Sequence, residues 1–357
     1  MRIRAALPPA LAILMSIPPL AAADSLDDVV RIVRDAARQH AGDADLARAL
    51  HQLALNRRMD NRTAEELESL AAGPKSIAEL EALREASRGK PLPKVLPEFA
   101  SPPEPAEDEL ADVLAGARHQ AIAYTASLPD FICTETVRRY TESAWRGWEL
   151  QDSLTLQLTY FEHVEKYKLT ARNGRQTDLT YDDVGGAVSR GEFGSMLLAV
   201  FAPASQAGFR WSNWTTLRRR AAYVLSFRID VSHSRYTLTA GRSGVHPITA
   251  KVGEHGLVYI DRETRDVVRL ASEAVSVPKN LLVAAASSVL DYGPVEVGGH
   301  TYLLPLRADV HMTPRENYPP TRNEVDFTSY RKFAGESEIS FGDPVDEKTA
   351  PPQGKAP

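Results

Sequence analysis

The sequence predicts an α+β protein in which a small N-terminal helical bundle precedes a large, curved, antiparallel sheet of about ten strands with covering helices. Three observations support this fold class. Apolar residues recur at helical spacing over residues 25–89, and apolar and polar residues alternate from Ile132 onward. Residues 256–270, GLVYIDRETRDVVRL, form a hairpin pattern of two apolar strands around a charged turn.

The N-terminus has the pattern of a secretory signal peptide. Arg2 and Arg4 precede an uncharged apolar run over residues 5–20, which is followed by small residues. The run is broken by prolines and is shorter than the roughly 20 apolar residues that a spanning helix needs. We therefore expect residues 1–23 to be removed by cleavage after Ala23. The mature protein is expected in the periplasm or outside the cell, without a transmembrane segment.

Composition limits the classes of function. With 43% hydrophobic and 25% charged residues, the chain has the composition of a globular protein. Its net charge of -5 argues against a nucleic-acid partner, because general nucleic-acid binders carry a basic face. Cys133 is the single cysteine, so no intramolecular disulfide can form, and its apolar neighbours predict a buried thiol.

Residues 24–90 are predicted to form a bundle of about four short helices. Ser25 and Asp28 are placed to cap the first helix. Two later helices are predicted to begin at Thr63 and Ser76, because a glutamate follows each of them at capping-box spacing. The charged residues of this region are expected to lie mostly on solvated outer faces.

A proline-rich linker separates the bundle from the rest of the chain. Residues 91–107 contain six prolines and no periodic pattern, which is typical of an extended, semi-rigid segment. A helix is predicted over residues 108–127, before Leu128-Pro129. Residues 108–342 are assigned to an antiparallel β domain with covering helices. The polar tail, residues 343–357, is predicted to be disordered.

Strict alternation predicts the strands of the β domain. The clearest runs cover residues 154–160, 223–231 and 302–310, and a last strand is expected from Val325 onward. Short turn sequences such as Gly298-Gly299 separate the runs. Strands joined by short turns predict an antiparallel meander rather than parallel βαβ units.

One segment within the β domain has helical rather than alternating periodicity. Residues 192–202 are strongly apolar, and Pro203 ends the pattern. A helix of this kind covers either a packed core or a hydrophobic ligand cavity. The candidate cavity-lining residues are Phe193, Met196, Leu197, Val200 and Phe201, together with Trp211 and Trp214 just beyond the helix.

No recognisable catalytic, metal or cofactor motif is present. No two of the nine histidines have the spacing of a helical zinc site. Residues 191–195, GEFGS, do not match the nucleophile elbow. The run Arg218-Arg219-Arg220 suggests either phosphate binding or edge-strand charge, and its flanking strands favour the second. We therefore assign no catalytic residue, no metal and no cofactor.

The hairpin carries a resemblance to a known family. Gly256-Leu257-Val258-Tyr259-Ile260-Asp261, followed by Thr264 and by Val267-Val268-Arg269-Leu270, looks like a hairpin of the lipoprotein-carrier superfamily, the LolA-like half-barrels. The resemblance covers residues 108–341. It implies a half-barrel-like sheet that holds acyl chains beneath covering helices. The helical unit of residues 25–89 departs from the compact members of that family and argues against a simple shuttle.

The sequence leaves three classes of function open. The first is a non-enzymatic envelope protein that binds an apolar or lipid-like ligand in the concave face of the β domain. The second is an interaction or scaffold module whose helical bundle docks an envelope protein partner. The third is a hydrolase whose site is assembled from distant positions, which sequence patterns do not reveal. An apolar cavity favours the first class, and an exposed apolar patch on a filled sheet favours the second.

Overall fold

A computed structural model describes residues 25–333 of the chain, apart from residues 72, 98, 100, 101, 144, 146, 163, 182, 185–194, 219, 241–247, 316 and 317. The helices are α1 (Leu26–Arg38), α2 (Asp43–His51), α3 (Asn61–Leu70), α4 (Pro74–Ser87), α5 (Glu107–Ser127) and α6 (Ser195–Phe201). The strands are β1 (Phe131–Ser143), β2 (Gly147–Phe161), β3 (Val164–Arg172), β4 (Arg175–Gln176), β5 (Gly208–Leu217), β6 (Arg220–Ile229), β7 (Thr237–Ala240), β8 (Ile248–Lys251), β9 (Gly253–Asp261), β10 (Val267–Val275), β11 (Val283–Val297), β12 (His300–Pro314) and β13 (Thr321–Lys332).

Helices α1 to α4 pack around their own apolar core, which includes Val29, Val33, Leu50 and Leu67. The predicted cap of α1 is confirmed, because Ser25 and Asp28 form a capping box. The predicted starts at Thr63 and Ser76 are wrong, since α3 begins at Asn61 and α4 at Pro74. Proline lacks an N–H and has a fixed φ, so it is well suited to the first turn and starts α4 before Ser76.

Eleven strands form one antiparallel sheet, in the order β4-β3-β2-β1-β13-β12-β11-β10-β9-β6-β5. Strands β4 and β5 are its two edges, so the sheet does not close within the described part of the chain. Strands β7 and β8 form a separate two-stranded sheet. This open, helix-covered antiparallel sheet confirms the predicted α+β fold class.

The hairpin at residues 256–270 is present as β9 and β10, which pair antiparallel. Strand β9 also pairs with β6, and β10 with β11, so the hairpin lies inside the sheet rather than at an edge. Gly298 and Gly299 both have positive φ in the tight turn between β11 and β12, as the glycine pair predicted. Cys133 is buried, as its neighbours predicted.

The two faces of the sheet differ in chemistry. Helices α5 and α6 cover one face, where Val113 of α5 and strand residues such as Leu158 and Ile260 belong to the large apolar core. The other face carries charged side chains, among them Arg269, which meets Glu65 of α3. The helical bundle therefore packs on a charged face, and the covering helices pack on an apolar face.

The proline-rich segment touches both parts of the molecule. Phe99 packs against the bundle core, and the Arg34 guanidinium lies 5.0 Å from its ring centroid. Farther along, the Pro103 carbonyl accepts a hydrogen bond of 2.8 Å from the indole N–H of Trp214 on β5. The domain limits assigned from sequence remain predictions, and the proposed signal peptide and C-terminal tail lie outside the described residues.

Candidate functional site

A cavity of about 470 Å³ lies on the apolar face of the sheet, at the end where the β5–β6 and β9–β10 turns are found. The C-terminal half of α5, one residue of α6 and several strand ends surround it. Its lining residues are Gln120, Ala121, Ala123, Tyr124, Ser127, Leu128, Leu197, Leu217, Arg218, Arg220, Asp261, Thr264, Asp266, Val267, Val268, Tyr292, Gly293, Pro294, Thr301, Tyr302 and Leu303. The volume falls within the range of about 300–1,000 Å³ that is usual for small-molecule sites.

The cavity forms beside the point where β10 and β11 stop pairing. Their register runs from Glu273 opposite Ser287 to Arg269 opposite Asp291 and goes no further. A register irregularity follows at this level between β9 and β10, and another lies just beyond Asp291 between β11 and β12. Such bulges bend strands and interrupt a ladder. The two strands can therefore separate here and leave space at the end of the sheet.

Arg218 fills the gap between these two strands. It lies in the β5–β6 turn with a φ of 49°, and one terminal nitrogen of its guanidinium donates to the carbonyls of Val268 and Tyr292, at 3.0 and 2.7 Å. These carbonyls lie outside the β10–β11 ladder. Buried carbonyls need donors, so Arg218 compensates for the interrupted pairing and places a cation at the cavity.

A second arginine fixes the rim of the cavity. Arg220 donates to both carboxylate oxygens of Asp261, which also accepts bonds from the backbone amides of Glu263 and Thr264. Burial opposes ionisation of Asp261, but these hydrogen bonds outweigh it and hold its pKa at about 2. The acceptor capacity of Asp261 is thus used in shaping the β9–β10 turn.

The inner wall of the cavity is apolar and aromatic. Ala121, Leu128 and Leu197 are buried there, and Tyr124 meets Tyr292 edge to face at a centroid distance of 6.2 Å. The buried Tyr124 hydroxyl has no hydrogen-bond partner among the described residues, and burial raises its pKa. An unsatisfied buried hydroxyl costs about 1–3 kcal/mol. The accessible wall is therefore apolar and aromatic, and the Tyr124 hydroxyl is buried rather than open to the cavity.

The predicted cavity-lining residues occupy several different environments. Leu197 lines the cavity. Val200 and Phe201 are buried in the core between α6 and the sheet, and Met196 and Trp211 pack at its margin. Trp214 is buried against Tyr223, with ring centroids 4.5 Å apart, and its N–H holds the proline-rich segment. Phe193 lies outside the described residues. Their role in ligand binding remains a prediction.

Sequence reasoning missed the polar half of this site. The sequence favours edge-strand charge for Arg218 and Arg220, but both line the cavity. In the apolar wall, no feature of the sequence singles out Tyr292, and Leu128 is marked only as the residue that follows the predicted helix. The one available signal is the arginine run itself, whose alternative interpretation is anion binding. Nothing in the local pattern indicates that β10 and β11 separate beside it.

A second cavity, of about 240 Å³, lies on the opposite face between the bundle and the sheet. Ionic contacts between bundle and sheet surround it. They pair Arg269 with Glu65 at 2.9 Å, Arg307 with Glu81 at 2.7 Å and Arg322 with Glu85 at 3.6 Å. Several of these groups are largely buried, so the contacts form a charged interface that excludes much of the solvent.

Glu68 of α3 makes this interface sensitive to pH. Burial raises its pKa from 4.5 to about 7, and one of its carboxylate oxygens is buried without a partner among the described residues. Because the folded state holds this proton more tightly, stability falls as pH rises from about 4.5 to 7. Glu68→Gln should therefore stabilise the protein by roughly 1–3 kcal/mol at pH 8 and hardly at pH 5. Urea unfolding at the two pH values measures the difference.

The exposed Glu296 provides the matched control, since Glu296→Gln should leave the pH dependence of the wild-type protein unchanged. An equal change in the free energy of unfolding at both pH values for Glu68→Gln would contradict the assignment of a raised pKa to Glu68.

The described ranges contain neither a metal-binding cluster nor a membrane-spanning helix. No group of three or more histidine, cysteine, aspartate or glutamate side chains there could hold a metal ion. No helix in those ranges is both long enough and apolar enough to cross a bilayer.

The protein is thus an open antiparallel sheet that is covered by helices on one face, with an amphipathic cavity under the helices.

A domain assigned as an outer membrane lipoprotein-sorting protein from Vibrio parahaemolyticus matches at 12% identity and a TM-score of 0.29, over 63% of this chain and 94% of that one. A DUF1329 family protein from Desulfovibrio piger matches at 9% identity and a TM-score of 0.28, over 64% and 97%.

No protein-family model matches the chain, and no characterised protein matches its sequence. The function therefore has to be derived from the side chains of this chain.

Proposed function

We propose that this chain is a non-enzymatic protein of the cell envelope that binds a lipid-like amphiphile in the cavity beneath α5. The observation that carries the proposal is the division of the cavity into an apolar inner wall and a polar rim. Leu128, Leu197 and Tyr292 supply the wall, while Arg218 and Arg220 stand at the rim. A molecule with an apolar chain and a polar end matches both parts.

Apolar burial supplies the affinity in this proposal. Each Å² of apolar ligand surface removed from water contributes about 25 cal/mol, so even a short alkyl chain enclosed by the wall gives useful binding. The envelope location rests on the signal-peptide pattern of residues 1–23.

Native mass spectrometry of the protein isolated from its own envelope tests both parts of the proposal. We expect a chain mass that begins at Asp24, together with a co-purifying amphiphile. Ala123 lines the cavity, so Ala123→Trp should fill it and remove the bound mass. The same variant should weaken binding of a fluorescent fatty-acid probe at least about tenfold, because the indole would displace the ligand's apolar contacts.

Ala115, exposed on the same helix, gives the control, and Ala115→Trp should retain both the bound mass and the probe affinity. A ligand-free mass for the wild-type protein, together with no probe binding, would reject the proposed function. It would direct attention to a protein partner of the helical bundle instead.

A further inference from the structure

Only some of the N–H donors of the Arg218 guanidinium are hydrogen-bonded. One terminal nitrogen donates to two carbonyls, but the other lies 3.9 Å from the Asp291 carboxylate, beyond hydrogen-bond distance. Within the described ranges, the Nε–H has no acceptor. The side chain is 40% exposed and lines the cavity. Arg218 therefore presents free donors and a positive charge at the cavity.

Two of the nearby acids are already engaged by other arginines. Asp291 accepts two hydrogen bonds from Arg269, at 2.6 and 2.9 Å. Asp261 is held by Arg220 and by two backbone amides. Asp266 also lines the cavity, and its charge acts on Arg220. Asp291 and Glu68 attract Arg218 without a hydrogen bond to it, so its charge is only partly balanced by its protein neighbours.

We infer that the amphiphile carries an anionic group, a carboxylate or a phosphate, that binds the second terminal nitrogen of the Arg218 guanidinium. This inference rests on the proposed function and specifies the class of ligand for the same cavity. A charge-assisted hydrogen bond from this nitrogen to an oxyanion is shorter and roughly twice as strong as a bond between neutral groups. The apolar chain then extends from Arg218 toward Tyr124, Leu128 and Leu197, which form the inner wall.

The turn geometry supports a fixed anion site. The two carbonyl bonds restrain the guanidinium, so little side-chain entropy remains to be lost when an anion binds. Partial burial also strengthens the attraction, because the local dielectric is lower than that of water. By contrast, Arg220 has its Nε and one terminal nitrogen paired with a carboxylate and serves as part of the rim.

Three amphiphiles with the same alkyl chain test the inference: dodecanoate, dodecyl phosphate and dodecanol. Calorimetric titration at neutral pH, below micelle formation, should give about tenfold to hundredfold tighter binding of an anionic compound than of the neutral alcohol, as expected for charge-assisted hydrogen bonds. Which of dodecanoate and dodecyl phosphate binds more tightly distinguishes a fatty-acid source from a phospholipid source. Arg218→Ala should remove the preference for anions.

Arg210, exposed on β5, provides the control, and Arg210→Ala should retain the preference. If Arg218→Ala fails to fold, Arg218→Gln keeps an amide donor without the charge. The wild-type protein gives an independent readout, since salt should weaken the binding of dodecanoate and leave that of dodecanol unchanged.

The outcomes separate the class of ligand from the function itself. Equal binding of the three compounds, or an anion preference that survives in the Arg218 variants, would overturn the anionic class and leave the proposed function intact. Failure of all three compounds to bind would instead reject the proposed function for ligands of this kind.

Discussion

Arg269→Met should destabilise the protein by about 3–5 kcal/mol, because it leaves two buried carboxylates without their shared cation. Arg269 donates to both oxygens of Asp291 and, at 2.9 Å, to Glu65 of α3, and its side chain is only 13% exposed. Loss of the cation also removes a contact that joins bundle to sheet. Urea unfolding measures the stability, and hydrogen exchange of the α3 amides reports on separation of the bundle.

The variant should also acquire a new pH dependence. Burial raises the pKa of Glu65, and Arg269 opposes that rise. Without the arginine the pKa of Glu65 should rise further, so the stability of the variant should fall more steeply than that of the wild-type protein as pH rises above the ordinary pKa of a glutamate. A variant whose stability changes with pH as the wild type's does would contradict this account.

Neutralising the partners should reverse much of the loss. In an Arg269→Met, Glu65→Leu, Asp291→Leu variant, the two carboxylates that Arg269 pairs are gone together with their cation, and apolar replacements of buried ionic groups are often neutral or stabilising. Arg228, exposed on β6, is the matched control, and Arg228→Met should change the free energy of unfolding by less than about 0.5 kcal/mol. If Arg269→Met and Arg228→Met lowered the free energy of unfolding by similar amounts, the ion pairs of Arg269 would contribute no more to stability than an exposed arginine does.

The fold class could be predicted because helical and strand periodicity are set by residues that are close together in the sequence. Alternation over residues 223–231 and 302–310 identified β6 and β12, since every second side chain of these strands faces the same core. The hairpin at residues 256–270 was recognisable because its strands are adjacent in sequence. Strand order was not predictable, as shown by β1 pairing with β13 across most of the β domain.

The charged interface could not be predicted for the same reason. The helical pattern places the bundle's charges on solvated outer faces, yet Glu65 is 4% exposed. Its partner Arg269 is 204 positions away in the chain, and Glu81 and Arg307 are 226 positions apart. A helical pattern identifies which residues share a face, but it does not reveal what that face will meet.

The candidate site was predictable only in its apolar part. The helical spacing that placed α6 over the sheet also selected Leu197, which does line the cavity. Arg218 belongs to the site because β10 and β11 separate, and that separation depends on bulges in strands distant from it in sequence. The spacing of apolar residues contains no information about such irregularities.

Gly256→Ala should be the most damaging small substitution in the sheet, with a loss of at least about 3 kcal/mol. A Cβ at this position would lie inside the van der Waals surface of the Ala271 carbonyl oxygen and 2.9 Å from an edge carbon of the Phe227 ring. Gly256 stands opposite Ser272 of β10 and Phe227 of β6, so backbone on one side and a buried ring on the other restrict relaxation. Thermal and urea unfolding measure the loss.

The control substitution Gly208→Ala on β5 distinguishes a steric conflict at Gly256 from the general effect of replacing a glycine in a strand. A Cβ there meets nothing within 4 Å, so Gly208→Ala should leave stability unchanged or raise it slightly, because alanine restricts the unfolded chain. Equal effects of the two substitutions would show that β9 and β10 can move apart at Gly256. Since β9 and β10 end in the turn that forms the cavity rim, a folded Gly256→Ala protein should also bind the fatty-acid probe more weakly.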